Sequence, residues 1–213
     1  MANSLGNLIS FASPSMDANF YILRNDNNEA ILFDSGLPSF TINNYLKKHN
    51  VKLKAIFLTH GHVDHIGGIK DVNDSIPVYI HNIDAEYLTN PCLNLSEDIL
   101  GYPLVMENKN VQELEGDETI EIPGFPSVQV IYTPFHTKGS VCYYLKERKE
   151  VFTGDTLFHL AIGRTDLPGG SSRLITSSLE KLHALPKDTV VYPGHGKKTT
   201  IEDEERLNPY FYK

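Results

Sequence analysis

The sequence predicts an α/β fold, and three observations predict it. Short strand-like runs alternate with helix-like segments through the first half of the chain. Strands return in the second half and lead to an amphipathic helix, and four of the strand-like runs end within a few residues in a histidine or an aspartate. At 213 residues, 40% hydrophobic and 22% charged, the chain is expected to form one domain over 1–213 with a substantial core.

Residues 20–23 and 30–33 read as two strands around the polar turn Asn25-Asp26-Asn27-Asn28. After Pro38, the residues Phe40, Ile42, Tyr45 and Leu46 fall at roughly helical spacing, which predicts a helix over 39–48. Residues 55–58 are a continuous apolar run of the kind a buried strand shows, and the run stops at Thr59-His60. A helix over 66–72, a strand over 78–80 and a helix over 83–88 follow. Residues 90–109, broken by Pro91, Gly101 and Pro103, read as loop with little regular structure. Strands are expected at 119–122, 128–132, 141–145 and 151–152. Leu174, Leu179, Leu182 and Leu185 give 174–185 an apolar side, and a strand at 190–192 and a short acidic helix at 201–207 complete the pattern.

Composition excludes several function classes. Nineteen basic against 27 acidic residues give a net charge of −8, so a nucleic-acid backbone or an anionic membrane meets a surface that repels it on average. The first basic residue is Arg24, which leaves the N-terminus without the marks of a secretory or mitochondrial leader, and apolar runs fall far short of a bilayer span. Cys92 and Cys142, fifty positions apart, fit free thiols in a reducing compartment, so a cytoplasmic location is expected.

The four strand ends carry the chemistry. Residues 55–58 lead to His60, 128–132 to His136, 151–152 to Asp155 and 190–192 to His195. Ligand sites of open α/β sheets lie beyond the carboxyl ends of the strands, so these ends can converge. The first opens His60-Gly61-His62-Val63-Asp64-His65, four imidazole or carboxylate groups within six residues, the donor types that zinc and related ions take at about 2.0 to 2.2 Å. Gly61 leaves that loop free to fold back on an ion. His49, His81, His159 and His183 lack such flanks and are read as ordinary. Asp34, in Phe33-Asp34-Ser35-Gly36 at another strand end, is either a turn former or an acceptor that orients a histidine.

These strings resemble the metallo-β-lactamase-fold hydrolases and, within them, the short glyoxalase II-like branch. The likeness runs through 59–68, then Thr133-Pro134-Phe135-His136-Thr137-Lys138-Gly139-Ser140, Thr153-Gly154-Asp155-Thr156, Gly163-Arg164-Thr165-Asp166-Leu167-Pro168-Gly169-Gly170 and Tyr192-Pro193-Gly194-His195-Gly196. The resemblance implies a four-layer αβ/βα sandwich of two mixed sheets with helices outside. It also implies that His60, His62 and His136 hold one metal, that Asp64, His65 and His195 hold a second, and that Asp155 bridges them. With no cysteine in the set, zinc is the first expectation, and iron and manganese stay open. The family's usual string has glycine where Phe135 stands and proline where Lys138 stands, and a positive φ at 135 would strain phenylalanine. Only 18 residues follow His195, so the C-terminal helical domain that binds glutathione in glyoxalase II proper is expected to be absent.

The expected activity is metal-dependent hydrolysis of a small thioester, S-acyl glutathione or a related thiol conjugate, with Asp64 as the catalytic carboxylate that orients or deprotonates water. Arg164 and Lys138 are candidates to hold a substrate carboxylate. The alternative is a mononuclear-iron persulfide dioxygenase. A nuclease is disfavoured by the acidic charge, a class B β-lactamase by the lack of a leader, and a metal-binding module without turnover is the non-enzymatic reading. A small-molecule substrate is expected, with no nucleic acid or membrane partner, in a monomer or a homodimer.

Overall fold

In the computed structural model, residues 6–13 and 16–211 are described. Fourteen strands run in chain order: β1 (Asn7–Ala12), β2 (Asn19–Arg24), β3 (Glu29–Phe33), β4 (Lys52–Phe57), β5 (Pro77–His81), β6 (Asn110–Leu114), β7 (Thr119–Ile120), β8 (Val128–Tyr132), β9 (Val141–Leu145), β10 (Glu150–Gly154), β11 (Leu157–Phe158), β12 (Ala161–Ile162), β13 (Val190–Pro193) and β14 (Thr199–Thr200). The α-helices are α1 (Phe40–His49), α2 (Val63–Ile66), α3 (Asn82–Ala85), α4 (Pro91–Asn94), α5 (Ser96–Leu100), α6 (Ile175–His183) and α7 (Ile201–Leu207).

Two six-stranded sheets form, one in the order β1-β2-β3-β4-β5-β6 and the other β14-β13-β10-β9-β8-β7. Both are mixed. In the first, β3 to β6 run parallel while β1 and β2 are antiparallel; in the second, β10 and β13 are the parallel pair. Side chains alternate across each strand, so each sheet has two faces to bury.

That alternation builds three apolar layers. In β3, Ile31 and Phe33 join Ala55 and Phe57 of β4 against Val128, Val130, Val141, Tyr143 and Phe152 of the second sheet. Ala30, Leu32, Ile56 and Leu58 face the other way, onto Ile42 of α1 and Val63 and Ile66 of α2. Cys142, Tyr144, Val151 and Val191 turn outward from the second sheet onto Leu179 and Leu182 of α6 and Ile201 of α7. The result is helix, sheet, sheet, helix. Aromatic rings lock the two sheets together: Phe33 stacks on Phe152 with centroids 3.8 Å apart, and Tyr143 reaches across to donate to the Leu58 carbonyl at 2.7 Å.

Several expectations shift. Strands β1 and β6, the two edges of the first sheet, are not predicted from the sequence: β1 buries no residue and β6 only Leu114, so neither shows the apolar alternation of a half-buried strand. The helix expected over 66–72 starts earlier, at Val63, and tightens into a 3₁₀ segment at Gly67–Asp71. Two short helices, α4 and α5, stand within the 90–109 loop. The strain foreseen at Phe135 does not arise, because its φ is not positive; the ring is fully buried beside Leu179 in the outer layer.

Candidate metal centre

The carboxyl ends of β3, β4, β8, β10 and β13 open onto one place. Asp34 directly follows β3, His60 lies three residues past β4, His136 four past β8, Asp155 directly past β10 and His195 two past β13. Within the His60 loop, α2 begins at once and puts Asp64 and His65 in its single turn. That turn is pinned from below, since Ser35 donates both its backbone N–H and its hydroxyl to the His65 carbonyl, at 2.7 and 2.9 Å.

Three overlapping groups of donor atoms result: His60, His62 and His136; His60, His65 and Asp155; Asp64, His65 and His195, each with ligand atoms within 4.8 Å of one another. Asp155 reaches both sides, with Oδ1 3.3 Å from His65 Nε2, and Oδ2 3.5 Å from His136 Nε2 and 3.7 Å from His195 Nε2. Asp64 Oδ2 lies 3.2 Å from His195 Nε2. His62 Nδ1 and His136 Nε2 face each other at 2.9 Å.

The outer nitrogens are anchored. Nδ1 of His60 meets Thr59 Oγ1 at 3.1 Å, that of His65 meets Asp34 Oδ2 at 2.8 Å, that of His136 the Arg164 carbonyl at 2.8 Å and that of His195 the Asp17 carbonyl at 2.9 Å. At His65, His136 and His195, donation from Nδ1 to a carboxylate or carbonyl turns Nε2 inward, the arrangement that orients histidine toward a metal. Asp34 also accepts from the Thr59 backbone N–H at 2.7 Å, and its φ of 56° puts it in the left-handed region, so it is at once turn former and orienting acceptor.

His60 Nε2, His62 Nε2, His65 Nε2 and Asp155 Oδ1 are buried without a hydrogen bond. An unpaired buried polar atom costs about 1–3 kcal/mol, so four such atoms gathered in one place fit a cation. The donor set is wholly nitrogen and oxygen, which suits a divalent ion of the zinc, iron or manganese kind. The described residues thus supply a His/Asp group able to hold metal.

Charge divides the cluster. Burial, with the neighbouring His65 and His136, holds His60 well below the ordinary histidine range, and burial likewise pushes His62 down to about 3. His65 goes the other way: burial opposes its charge, but Asp64, Asp34 and Asp155 outweigh it and raise it well above 6.5. Burial opposes charge at His195 too, and Asp64 and Asp155 outweigh it there. Burial favours the neutral forms of Asp64 and Asp155, yet His65 foremost, together with His195, keeps both carboxyls below the usual range. Access is graded as well. His60, His62, His65 and His136 are at most 3% exposed, whereas the His195 side chain is 29% and that of Asp64 15% exposed, so the centre opens on the Asp64 and His195 side.

Arg164 and Lys138 lie apart from the ligand atoms. The exposed Arg164 guanidinium forms a two-pronged pair with Asp166 at 2.7 Å, and only its carbonyl touches the centre, through His136. Lys138 is exposed two residues past His136, with its carbonyl held by the Tyr132 hydroxyl at 2.8 Å. The remaining histidines have other partners: His81 caps α3 by accepting from the Ile83 N–H, His159 meets Glu204, His183 meets Glu205 and His49 packs on Tyr45. Gly61 has a role unlike the one expected. A Cβ there would collide with the Tyr87 ring, so glycine makes room rather than lending flexibility. Asp84 and Tyr87, both against the ligand loops, escaped the sequence reading, because nothing in 83–88 marks them off from an ordinary helix.

Comparison with known proteins agrees with this geometry. The family profile described as the metallo-beta-lactamase superfamily matches residues 16–195. Among curated relatives, the "Probable metallo-hydrolase YqgX" of Bacillus subtilis (strain 168) is 39% identical over 198 residues, spanning 92% of each chain. The "Hydroxyacylglutathione hydrolase GloC" of Haemophilus influenzae is 31% identical over 202 residues, 90% of this chain and 92% of that one. Among solved structures, BLEG-1 B3 metallo-beta-lactamase superposes with a TM-score of 0.91 at 37% identity, covering 97% of this chain and 100% of its own. TTHA1623, solved in a di-iron-bound form, gives 0.81 at 30% identity, covering 95% and 99%.

Proposed function

The chain belongs to the metallo-β-lactamase superfamily of metal-dependent hydrolases, and from that premise we propose that it hydrolyses small thioesters, of the S-acyl glutathione kind or a related thiol conjugate. The observation that carries the proposal is Asp64: a carboxylate kept ionised by His65 and His195 at the open side of an otherwise buried set of nitrogen and oxygen ligands. The match to a relative named as a hydroxyacylglutathione hydrolase, over 92% of that relative's length, supports it.

A divalent ion bound by His60, His62 and His136, and a second by Asp64, His65 and His195 with Asp155 between, would supply hydroxide at neutral pH and positive charge against the developing oxyanion; zinc is the ion we favour. Asp64, held ionised, accepts a hydrogen bond from that hydroxide and orients it toward the acyl carbon. The C–S bond then breaks and the sulfur leaves with the electron pair as thiolate. An ordinary thiol has a pKa of about 8.5, so that departure needs no acid. Lys138, exposed two residues past His136, would receive a substrate carboxylate; Arg164 would have to leave Asp166 to join it. The substrate is a small molecule, and the setting is a cytoplasmic one in which the free thiols Cys92 and Cys142 stay reduced.

The likeness to BLEG-1 supports β-lactam hydrolysis as the second reading. An amide nitrogen must be protonated as it leaves, a demand the thioester does not make, which ranks it second. The single-iron dioxygenase ranks lower still, because it gives the convergence of Asp64, His65 and His195 no task.

The test is turnover of S-lactoylglutathione and of a chromogenic cephalosporin by chain loaded with zinc, iron or manganese, with Asp64→Asn alongside. Thioester turnover at least 100-fold lower in the variant supports the proposal. A fully loaded chain inert on the thioester sinks it, cephalosporin turnover puts the second reading in its place, and oxygen uptake with a persulfide puts the dioxygenase there.

A further inference from the structure

Beyond β5 the chain turns at His81 into α3, and the helical segment carries a carboxylate that the hydrolytic chemistry does not use. Asp84 is fully buried. Its Oδ2 accepts from the Gly61 backbone N–H at 3.0 Å and from Thr137 Oγ1 at 2.7 Å, and its Oδ1 accepts from the Gly139 backbone N–H at 2.8 Å. Gly61 sits between His60 and His62, and Thr137 directly follows His136. A single carboxylate therefore grips the two loops that deliver His60, His62 and His136, loops 74 positions apart at His62 and His136.

The fit leaves little room for another group. A Cβ on Gly139 would lie 2.5 Å from Asp84 Oδ1, and one on Gly61 would enter the ring of Tyr87. Tyr87 stands three residues after Asp84, on the same side of the helical segment, and donates to the Pro168 carbonyl at 3.0 Å. Three donors converge on Asp84, and a carboxylate, an acceptor at every lone pair, satisfies all of them. An amide has one oxygen and would turn its NH₂ against one of the donors.

We propose that Asp84 is a positioning residue for the metal centre: by holding the His60–His62 loop against the His136 loop it sets the spacing of His62 and His136, and with it the affinity for the ion those three histidines bind. None of its hydrogen bonds goes to Asp64, His65 or His195. Its influence is therefore one-sided. The inference rests on the metal-centre reading above and is independent of the substrate chosen.

Wild type, Asp84→Asn and Thr137→Val are loaded with zinc or cobalt, and the affinity of each metal equivalent is measured by chelator competition. Thermal unfolding of the metal-free chains is followed in parallel, and a His62→Ala chain identifies which equivalent belongs to the three histidines. In Asp84→Asn that equivalent weakens 10- to 100-fold, as loss of a group that supports metal ligands does, while the other moves by less than about twofold. Thr137→Val, which takes one donor from Asp84 and one partner from the Ser140 hydroxyl, shows the same one-sided effect at about threefold, and decides the matter if Asp84→Asn fails to fold. A merely structural role would lower the unfolding temperature and leave both affinities of the folded chain unchanged. That result, or equal weakening of both equivalents, overturns the proposal. Wild type that binds no metal overturns the functional reading together with it, whereas metal-binding wild type with unaltered variants overturns this one alone.

Discussion

Asp34 accepts a hydrogen bond from His65 at 2.8 Å, and neither side chain is more than 4% exposed. The same carboxylate receives the Thr59 N–H and hydroxyl, so one buried acid joins the end of β3 to the end of β4 and sets the ring of His65. Asp34→Ala leaves the Thr59 N–H and the His65 N–H unpaired in a dry interior, at about 1–3 kcal/mol each. The expected outcome is a loss of about 2–6 kcal/mol in urea unfolding, together with metal affinity 10- to 100-fold weaker by chelator competition.

Metal removal lowers stability by mass action. An ion at 100 times its dissociation constant stabilises a folded chain by about 2.7 kcal/mol. For a chain of this size that corresponds to a fall of roughly 5–10 °C in unfolding temperature after exhaustive chelation, recovered on adding the metal back. An unchanged transition in scanning calorimetry would contradict the metal centre.

The metal-free chain loses stability as pH rises above about 7.5. His65 and His195 are held protonated by their carboxylates, so each binds its proton more tightly folded than unfolded. A raised histidine contributes fully below the unfolded value of about 6.5, and that contribution disappears as pH climbs through the folded value. His60 and His62, shifted down, are neutral in the folded chain but still titrate near 6.5 in the unfolded one, so they oppose this slope up to about pH 7.5 and add none above it. Unfolding midpoints of the chelated chain between pH 7.5 and 9 should therefore decline; a rising series would contradict the ion-pair arrangement.

Lys138→Ala tests the substrate-facing rim. If the ammonium holds a carboxylate that does not react, its loss removes binding common to ground and transition states, which raises KM with kcat unchanged. The expected change on S-lactoylglutathione is about 10-fold in KM. A fall in kcat at constant KM would move Lys138 from binding to chemistry.

The two cysteines should separate by reactivity. Burial pushes the Cys142 thiol up to about 11, whereas Cys92 is exposed. Thiolate is the reactive form, so at pH 8 one thiol per chain should react with a disulfide reagent within minutes and the second only on unfolding.

Much of this was legible in the sequence, for identifiable reasons. The ligands sit next to strand ends flanked by small or turn-forming residues, and four of them share one loop, so pattern and position coincide. Asp34 carried the same strand-end mark. Asp84 carried none, because its partners are mainly backbone N–H groups of Gly61 and Gly139, and backbone donors leave no trace in side-chain spacing. β1 and β6 were hidden because they bury almost nothing, Leu114 alone between them, and so lack the apolar alternation that reveals a strand.

The uneven exposure of the ligands has a kinetic meaning. An ion among His60, His62 and His136 is enclosed by rings at most 3% exposed, so its departure waits on local opening around them. One beside Asp64 and His195 exchanges directly with solvent. Extraction by excess chelator is then a two-phase process, and the slow phase is a clock for local opening of the fold.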